Sequence, residues 1–191
     1  MLTGAILAGG KSLRYGRNKA LEVIRGKSLI EHAVASLCRL CDPVLMVAND
    51  LTLYLHLRVV LVQDAIPEQG PLGGIYTALL FSPHPWILAK ATDMPLLVED
   101  LARMMLTLRE GHDVVLPILN DRYEPLLALY SRRCLAPVAA ALEKGERKIV
   151  SFFPKVRVKV LPEADWRTVD PEGLSFSNIN TPQNLEQLQW T

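Results

Sequence analysis

The sequence predicts a three-layer α/β domain, with helices on both faces of a mostly parallel central sheet. Three observations carry that expectation. Runs such as Ala5–Leu7 and Val44–Val47 are apolar at every position, as strands buried on both faces require. Stretches with apolar residues three and four apart alternate with these runs, the pattern of helices that cross between parallel strands. Turn-forming Gly, Asn and Asp gather just past the apolar runs, on the rim where open α/β sheets hold their ligands.

Taken in order, Ala5, Ile6 and Leu7 form the first strand, and the segment LAGGKSLRYGRNK, Leu7–Lys19, leaves its C-terminal end as a loop. Leu21–Ile24 is a short apolar run closed by Arg25-Gly26-Lys27. Ser28 then caps a helix whose Leu29, Ile30, Ala33, Val34 and Leu37 follow the three-and-four spacing, and Glu31 completes a capping box. A second strand, Pro43–Ala48, ends at Asn49. A short helix is expected around Leu51–Leu57, and a third strand over Arg58–Val62 delivers Gln63 and Asp64 to the rim. Ile75–Phe81 reads as a helix, with Gly70-Pro71 a suitable start. Gly73 and Gly74 either leave N–H groups open to a ligand or let that helix sit close on the sheet.

Trp86–Ala91 is the next strand and ends in Thr92-Asp93-Met94-Pro95. A helix over Glu99–Leu108 and a strand over Asp113–Leu116 follow. Asn120-Asp121-Arg122 turns into Tyr123–Tyr130, and a helix through Ala139, Ala140 and Leu142 ends at Gly145, a suitable C-terminal cap. Val156, Val158 and Val160 alternate with Arg157 and Lys159, as in a half-exposed edge strand. Thr181 and Pro182 open a last helix, Gln183–Gln189.

Half of the residues are apolar, and 191 residues suffice for one domain with a sizeable core, so residues 1–191 read as a single domain. A net charge of +1 gives no general attraction to nucleic acid or to an anionic membrane, so any basic site is local and a small anionic ligand fits best. No apolar run reaches the roughly 20 residues that span a bilayer. The N-terminus lacks the features of a signal peptide, so a cytoplasmic protein is expected. Cys38 and Cys41 form a C-x-x-C pair, but a structural zinc needs two more ligands at suitable spacing, and reduced, structural cysteines are expected.

The chemistry is expected in the first loop. Gly9 and Gly10 let backbone N–H groups approach an anion, and Lys11, Arg14, Arg17 and Lys19 place four cations within nine residues. Fixed positive charge is most useful where charge accumulates on a transferring phosphoryl group. The same letters also fit a relaxed Walker A pattern beginning at Ala5, with Lys11 as the phosphate-reaching lysine and Asp93 as the Walker B acid. Asn49, Asp50, Asp64 and Asp93 all fall at strand ends and so share the rim. Asp93, followed by a Pro that blocks continuation of the strand, stands where a hard Mg²⁺ bridging phosphate oxygens would sit. Asn178 and Asn180 lie on one face of a short extended segment.

The 13-residue pattern LAGGKSLRYGRNK resembles the signature loop of the nucleotidyltransferases that activate small molecules with an NTP, and within them the molybdenum cofactor guanylyltransferases. The Thr92-Asp93-Met94-Pro95 turn resembles the superfamily's Asp-Met-Pro motif, and the tail with Asn178 and Asn180 is similar to the guanylyl rather than the cytidylyl branch. Glu124-Pro125-Leu126-Leu127-Ala128 and the basic turn Gly145–Lys148 resemble stretches on the acceptor side of the cleft. The resemblance implies a Rossmann-like nucleotidyltransferase domain, with Arg14, Lys19 and Asp93 in catalysis and Asp93 as the Mg²⁺ ligand. It implies that Leu7, Ala8, Gly9, Gly10, Lys19, Asn49, Asp64, Asp93, Asn178 and Asn180 surround the nucleotide. Asp64 suits guanine, whose N1–H and exocyclic amine offer two donors on one edge.

The reaction implied is attack by the terminal phosphate of molybdopterin, or of its metal-loaded form, on the α-phosphorus of GTP, with release of pyrophosphate. The partners are then GTP and molybdopterin or molybdenum cofactor, with transient contact to molybdoenzyme maturation proteins compatible, and neither nucleic acid nor membrane. Three other readings stay open: a sister enzyme using CTP or a sugar phosphate, a P-loop phosphohydrolase, and a non-catalytic GTP-binding partner of molybdoenzyme maturation.

Overall fold

The computed structural model describes residues 1–8 and 19–177, with the backbone alone for Lys19. In chain order the strands and helices are β1 (Thr3–Leu7), β2 (Val23–Ile24), β3 (Lys27–Ser28), α1 (Leu29–Cys38), β4 (Val44–Ala48), β5 (Val60–Gln63), α2 (Gly70–Phe81) and β6 (Trp86–Ala91). They continue with α3 (Glu99–Thr107), β7 (Val114–Leu119), β8 (Arg122–Tyr123), β9 (Leu127–Ser131), α4 (Leu135–Glu143), β10 (Val158–Leu161) and α5 (Glu163–Trp166).

The main sheet runs β10-β7-β9-β6-β1-β4-β5, with β8 as a short arm on β7, and β2 pairs β3 as a separate hairpin. The pairs β1·β4, β1·β6, β4·β5 and β7·β10 are parallel, whereas β9 is antiparallel to both of its neighbours. The sheet is therefore mostly parallel, as expected, but interrupted by one reversed strand.

Alternation along each strand feeds two cores. Ile6, Met46 and Leu88 point to the face covered by α1 and α3, where Ile30, Ala33, Leu37, Leu101 and Met105 meet them. Ala5, Leu45 and Ile87 point to the other face, against Leu72, Ile75 and Ala78 of α2 and Val138 of α4. Helices on both faces make the three layers. At roughly 0.8 kcal/mol per buried CH₂, these two cores supply the main drive to fold.

Local signals end the elements as the sequence suggests. Ser28 Oγ accepts from the Glu31 N–H while Glu31 Oε2 accepts from the Ser28 N–H at 2.7 Å, a complete capping box on α1. Past α4, Gly145 at φ +79° donates to Leu142 O and Glu146 donates to Ala141 O, which satisfies the last carbonyls of the helix. β10 does lie at the edge of the sheet. The helix expected around Leu51–Leu57 is only a 3₁₀ turn, Thr52–Tyr54, and the strand after it starts at Val60 instead of Arg58. Asp50 accounts for the difference: its Oδ1 takes the Thr52 N–H at 2.9 Å and holds a tight turn. The segment Tyr123–Tyr130 divides into the end of β8 and most of β9, broken at Pro125. The helix expected over Gln183–Gln189 lies outside the described residues.

Candidate active site

The chain fills β1, β4 and β5 in one direction across the sheet and then returns to place β6 on the other side of β1. That reversal opens a crevice beyond the C-terminal strand ends. Asp64 follows β5, Asn49 follows β4, Ala8 and the glycine loop follow β1, and Asp93 follows β6. At about 4.8 Å per strand, Asp64 and Asp93 stand three steps, or about 14 Å, apart. The crevice thus separates a site for one end of a ligand from a site for the other.

The backbone pins this rim. Ala8 N–H donates to Val47 O at 2.8 Å, and Asp64 N–H donates to Ala48 O at 3.1 Å. The Leu7 side chain is buried against α2, where a Cβ on Gly74 would come within 3.3 Å of Leu7 Cδ2. Close packing therefore explains Gly74. Ala5 sits in mid-strand, paired with Leu45 on one side and Ala89 on the other. A Walker A wrap cannot begin there, so that reading fails. Gly9, Gly10, Lys11, Arg14, Arg17, Asn178 and Asn180 lie outside the described residues; the Lys19 backbone opens a 3₁₀ turn that packs against α1.

Asp64 is partly buried, and desolvation raises its carboxyl above the ordinary value, against a smaller lowering by the Thr77 hydroxyl. Thr77 Oγ1 has one proton, and Gly73 O at 2.9 Å is a better acceptor than Asp64 Oδ1 at 3.5 Å. The Asp64 carboxylate therefore keeps acceptor capacity towards the crevice. Asn49 is exposed on the same rim, next to the turn that Asp50 caps.

Asp93 does not stand alone. The β6·β9 ladder pairs Lys90 with Leu127, and Ala91 N–H donates to Leu126 O at 3.1 Å. Past that point both chains turn, and Glu124 comes near enough to Asp93 to feel its charge. The Glu124 backbone is fixed by its N–H to Pro117 O at 3.0 Å and by its carbonyl, which accepts from Leu127 N–H. Desolvation raises the Glu124 carboxyl, and the Asp93 charge raises it further. Like charges held near each other are unfavourable unless a cation lies between them. Two hard oxygen donors in that relation fit Mg²⁺. Among the described residues no group of three or more His, Cys, Asp or Glu gathers. The sequence placed Glu124 on the acceptor side but could not place it near Asp93, because the pairing of β6 with β9 has no local signal.

A crevice at the switch point, with a partly buried carboxylate at one end and two neighbouring carboxylates at the other, suits an enzyme that handles a nucleoside triphosphate, and the class is that of the nucleotidyltransferases. The model of the MobA-like NTP transferase domain matches residues 4–158, and the chain belongs to that family. It is 37% identical, over 98% of its length and 94% of the relative's, to the molybdenum cofactor guanylyltransferase of Desulfosudis oleivorans. Among solved structures it is similar to molybdopterin-guanine dinucleotide biosynthesis protein A from Archaeoglobus fulgidus, with 27% identity, a TM-score of 0.83 and coverage of 97% and 95% of the two chains. A 2-C-methyl-D-erythritol 4-phosphate cytidylyltransferase from Thermus thermophilus, at 15% identity and a TM-score of 0.65 over 95% and 94% of the chains, shares the fold.

Proposed function

We propose that this chain transfers GMP from GTP to the terminal phosphate of molybdopterin or molybdenum cofactor, releasing pyrophosphate, in a Mg²⁺-dependent reaction. The observation that carries the reading is the rim itself: a partly buried carboxylate, Asp64, three strands from the neighbouring Asp93 and Glu124, with β1, which leads into the glycine and cation segment of the sequence, lying between β4 and β6.

The acceptor phosphate oxygen forms a bond to the α-phosphorus, the bond from that phosphorus to the bridging oxygen breaks, and the electron pair leaves with pyrophosphate. No covalent enzyme intermediate is needed, since positioning and charge neutralisation account for such transfers. Asp64 and Asn49 orient the nucleoside, with Leu7, Ala8, Gly9 and Gly10 proposed as further nucleotide-binding residues. Arg14 and Lys19 stabilise charge on the transferring group. Asp93 and Glu124 are the residues that would hold Mg²⁺, which when bound would help neutralise charge on the phosphates. Asn178 and Asn180 are proposed as nucleotide-binding residues as well.

Cys38, Cys41 and Cys134 are all free thiols. Among the described residues no helix is long and apolar enough to cross a membrane. The cytoplasm is the compartment proposed, with transient contact to molybdoenzyme maturation proteins at product hand-over. The test is pyrophosphate release from each NTP with purified molybdopterin and Mg²⁺. Release with GTP alone among the four is expected; release with CTP would move the chain to the cytidylyl branch, and nucleotide binding without release would leave it a binding protein.

A further inference from the structure

Gln69 occupies the N-cap of α2 yet makes no capping bond to the helix. Its side-chain Oε1 is buried and has no hydrogen-bond partner, while its Nε2 holds Pro67 O through a long contact of 3.4 Å. Exchanging the two amide ends does not help, since the carbonyl end would then face Pro67 O. Buried polar atoms are almost always satisfied, so an orphan carbonyl marks a position kept for something other than stability.

The backbone is bent to keep it there. Glu68, immediately before, has φ +59°, and Gly70, immediately after, has φ +64°, so Gln69 lies between two left-handed residues of which only one is glycine. Such conformations are costly for a residue with a Cβ and gather at sites of function. Gly73 belongs to the same arrangement: a Cβ there would stand 2.5 Å from Gln69 Cβ, so only glycine leaves room for this side chain.

The same turn of α2 carries the link to Asp64. Thr77 Oγ1 donates to Gly73 O at 2.9 Å, accepts from Ala65 N–H at 3.0 Å and lies 3.5 Å from Asp64 Oδ1. Gln69 and Asp64 thus flank one helical turn at the β5 end of the rim. We propose that Gln69 is a second base-reading residue: Asp64 takes the N1–H and one proton of the guanine exocyclic amine, and the Gln69 side-chain carbonyl takes the other amine proton. Guanine offers three donors on that edge, and one carboxylate leaves the third unclaimed. The weak Nε2 contact to Pro67 lets the amide turn outward when the base arrives.

This rests on the guanine reading of Asp64. The test is competition binding of GTP and ITP, which differ only by the exocyclic amine, to the full chain as wild type, Gln69→Leu and Gln69→Glu, with circular dichroism to confirm folding. Gln69→Leu is expected to weaken GTP by 5- to 150-fold, the loss of one buried hydrogen bond, and ITP by less than twofold. Gln69→Glu keeps the acceptor and is expected to hold the wild-type GTP-to-ITP ratio within threefold. A wild-type preference for GTP that persists unchanged in Gln69→Leu, or equal losses for both nucleotides, overturns the role of Gln69 alone. Equal wild-type affinities for GTP and ITP overturn the guanine reading and this inference with it.

Discussion

Replacing Lys90 by Met is expected to stabilise the fold. Lys90 is 0% exposed in β6, and its Nζ has one partner, Ser36 Oγ at 2.5 Å, which itself donates to Ala33 O at 2.7 Å. Burial holds its amine well below the ordinary lysine value, and the Arg39 charge lowers it further. Arg39 is itself paired with Glu99 at 2.9 Å, and among the described residues no carboxylate pairs with Lys90 to repay the desolvation. Met keeps the length and volume of the side chain and leaves Ser36 bonded to Ala33. By analogy with apolar replacement of buried charged groups, the gain is about 1–3 kcal/mol at neutral pH. For a chain of this size that is roughly 2–12 °C in Tm.

The sign of the pH dependence follows from the lowered value. The unfolded chain binds a proton below about pH 10.4 that the folded chain takes up only at lower pH, so wild-type stability rises with pH across that interval. The gap between variant and wild type should be widest at neutral pH and close as pH approaches 10. Urea unfolding of both proteins from pH 7 to pH 10 measures it. A variant less stable than wild type at pH 7, or a gap that does not change with pH, would refute the reasoning.

Asp93→Asn should lower Mg²⁺-dependent pyrophosphate release by about a hundredfold or more while leaving the unfolding curve unchanged, since one preorganised electrostatic group is lost at an accessible rim position; near-normal release at ordinary Mg²⁺ would remove Asp93 from the metal site. Lys19→Ala should impair transfer more than Lys11→Ala, measured side by side, and the reverse order would revive a phosphate-wrapping loop. Asp113 carries a carboxyl held below its ordinary value, first by the Arg157 side-chain hydrogen bond, against desolvation. Its contribution is complete above the unfolded value of about 3.9 and is lost as pH falls through the lowered folded value. Arg157→Ala should therefore unfold more easily at pH 6, with the difference from wild type shrinking below pH 4.

What the sequence conveyed best was local. The Ser28–Glu31 capping box, the Pro71 start of α2 and the Gly145 stop of α4 each depend on residues within a few positions of one another, and each forms as expected. The strand over Trp86–Ala91 was legible despite Lys90, because five of its six residues are apolar. Ambiguity arose where one residue type serves two purposes. Asp50 spends its carboxylate on a turn, and Gly74 is small because Leu7 lies beneath it, and neither use can be told from a ligand site without the neighbour in view. The proximity of Glu124 and Asp93 was hidden for a different reason. It depends on β9 entering between β6 and β7, a pairing across more than thirty residues of chain that no periodicity records.

That reversed strand also dictates the order in which the protein can be completed during synthesis. Until Ser131 has left the ribosome, β6 has β1 on one side and nothing on the other, so its Ile87 and Ala89 amides and carbonyls form an open edge. Unpaired edges of this kind recruit other chains. The interval between making β6 and making β9 is therefore the period when nascent copies on neighbouring ribosomes are most exposed to one another, and slow translation between Pro95 and Leu127 would lower the yield of soluble protein without altering a single contact in the finished fold.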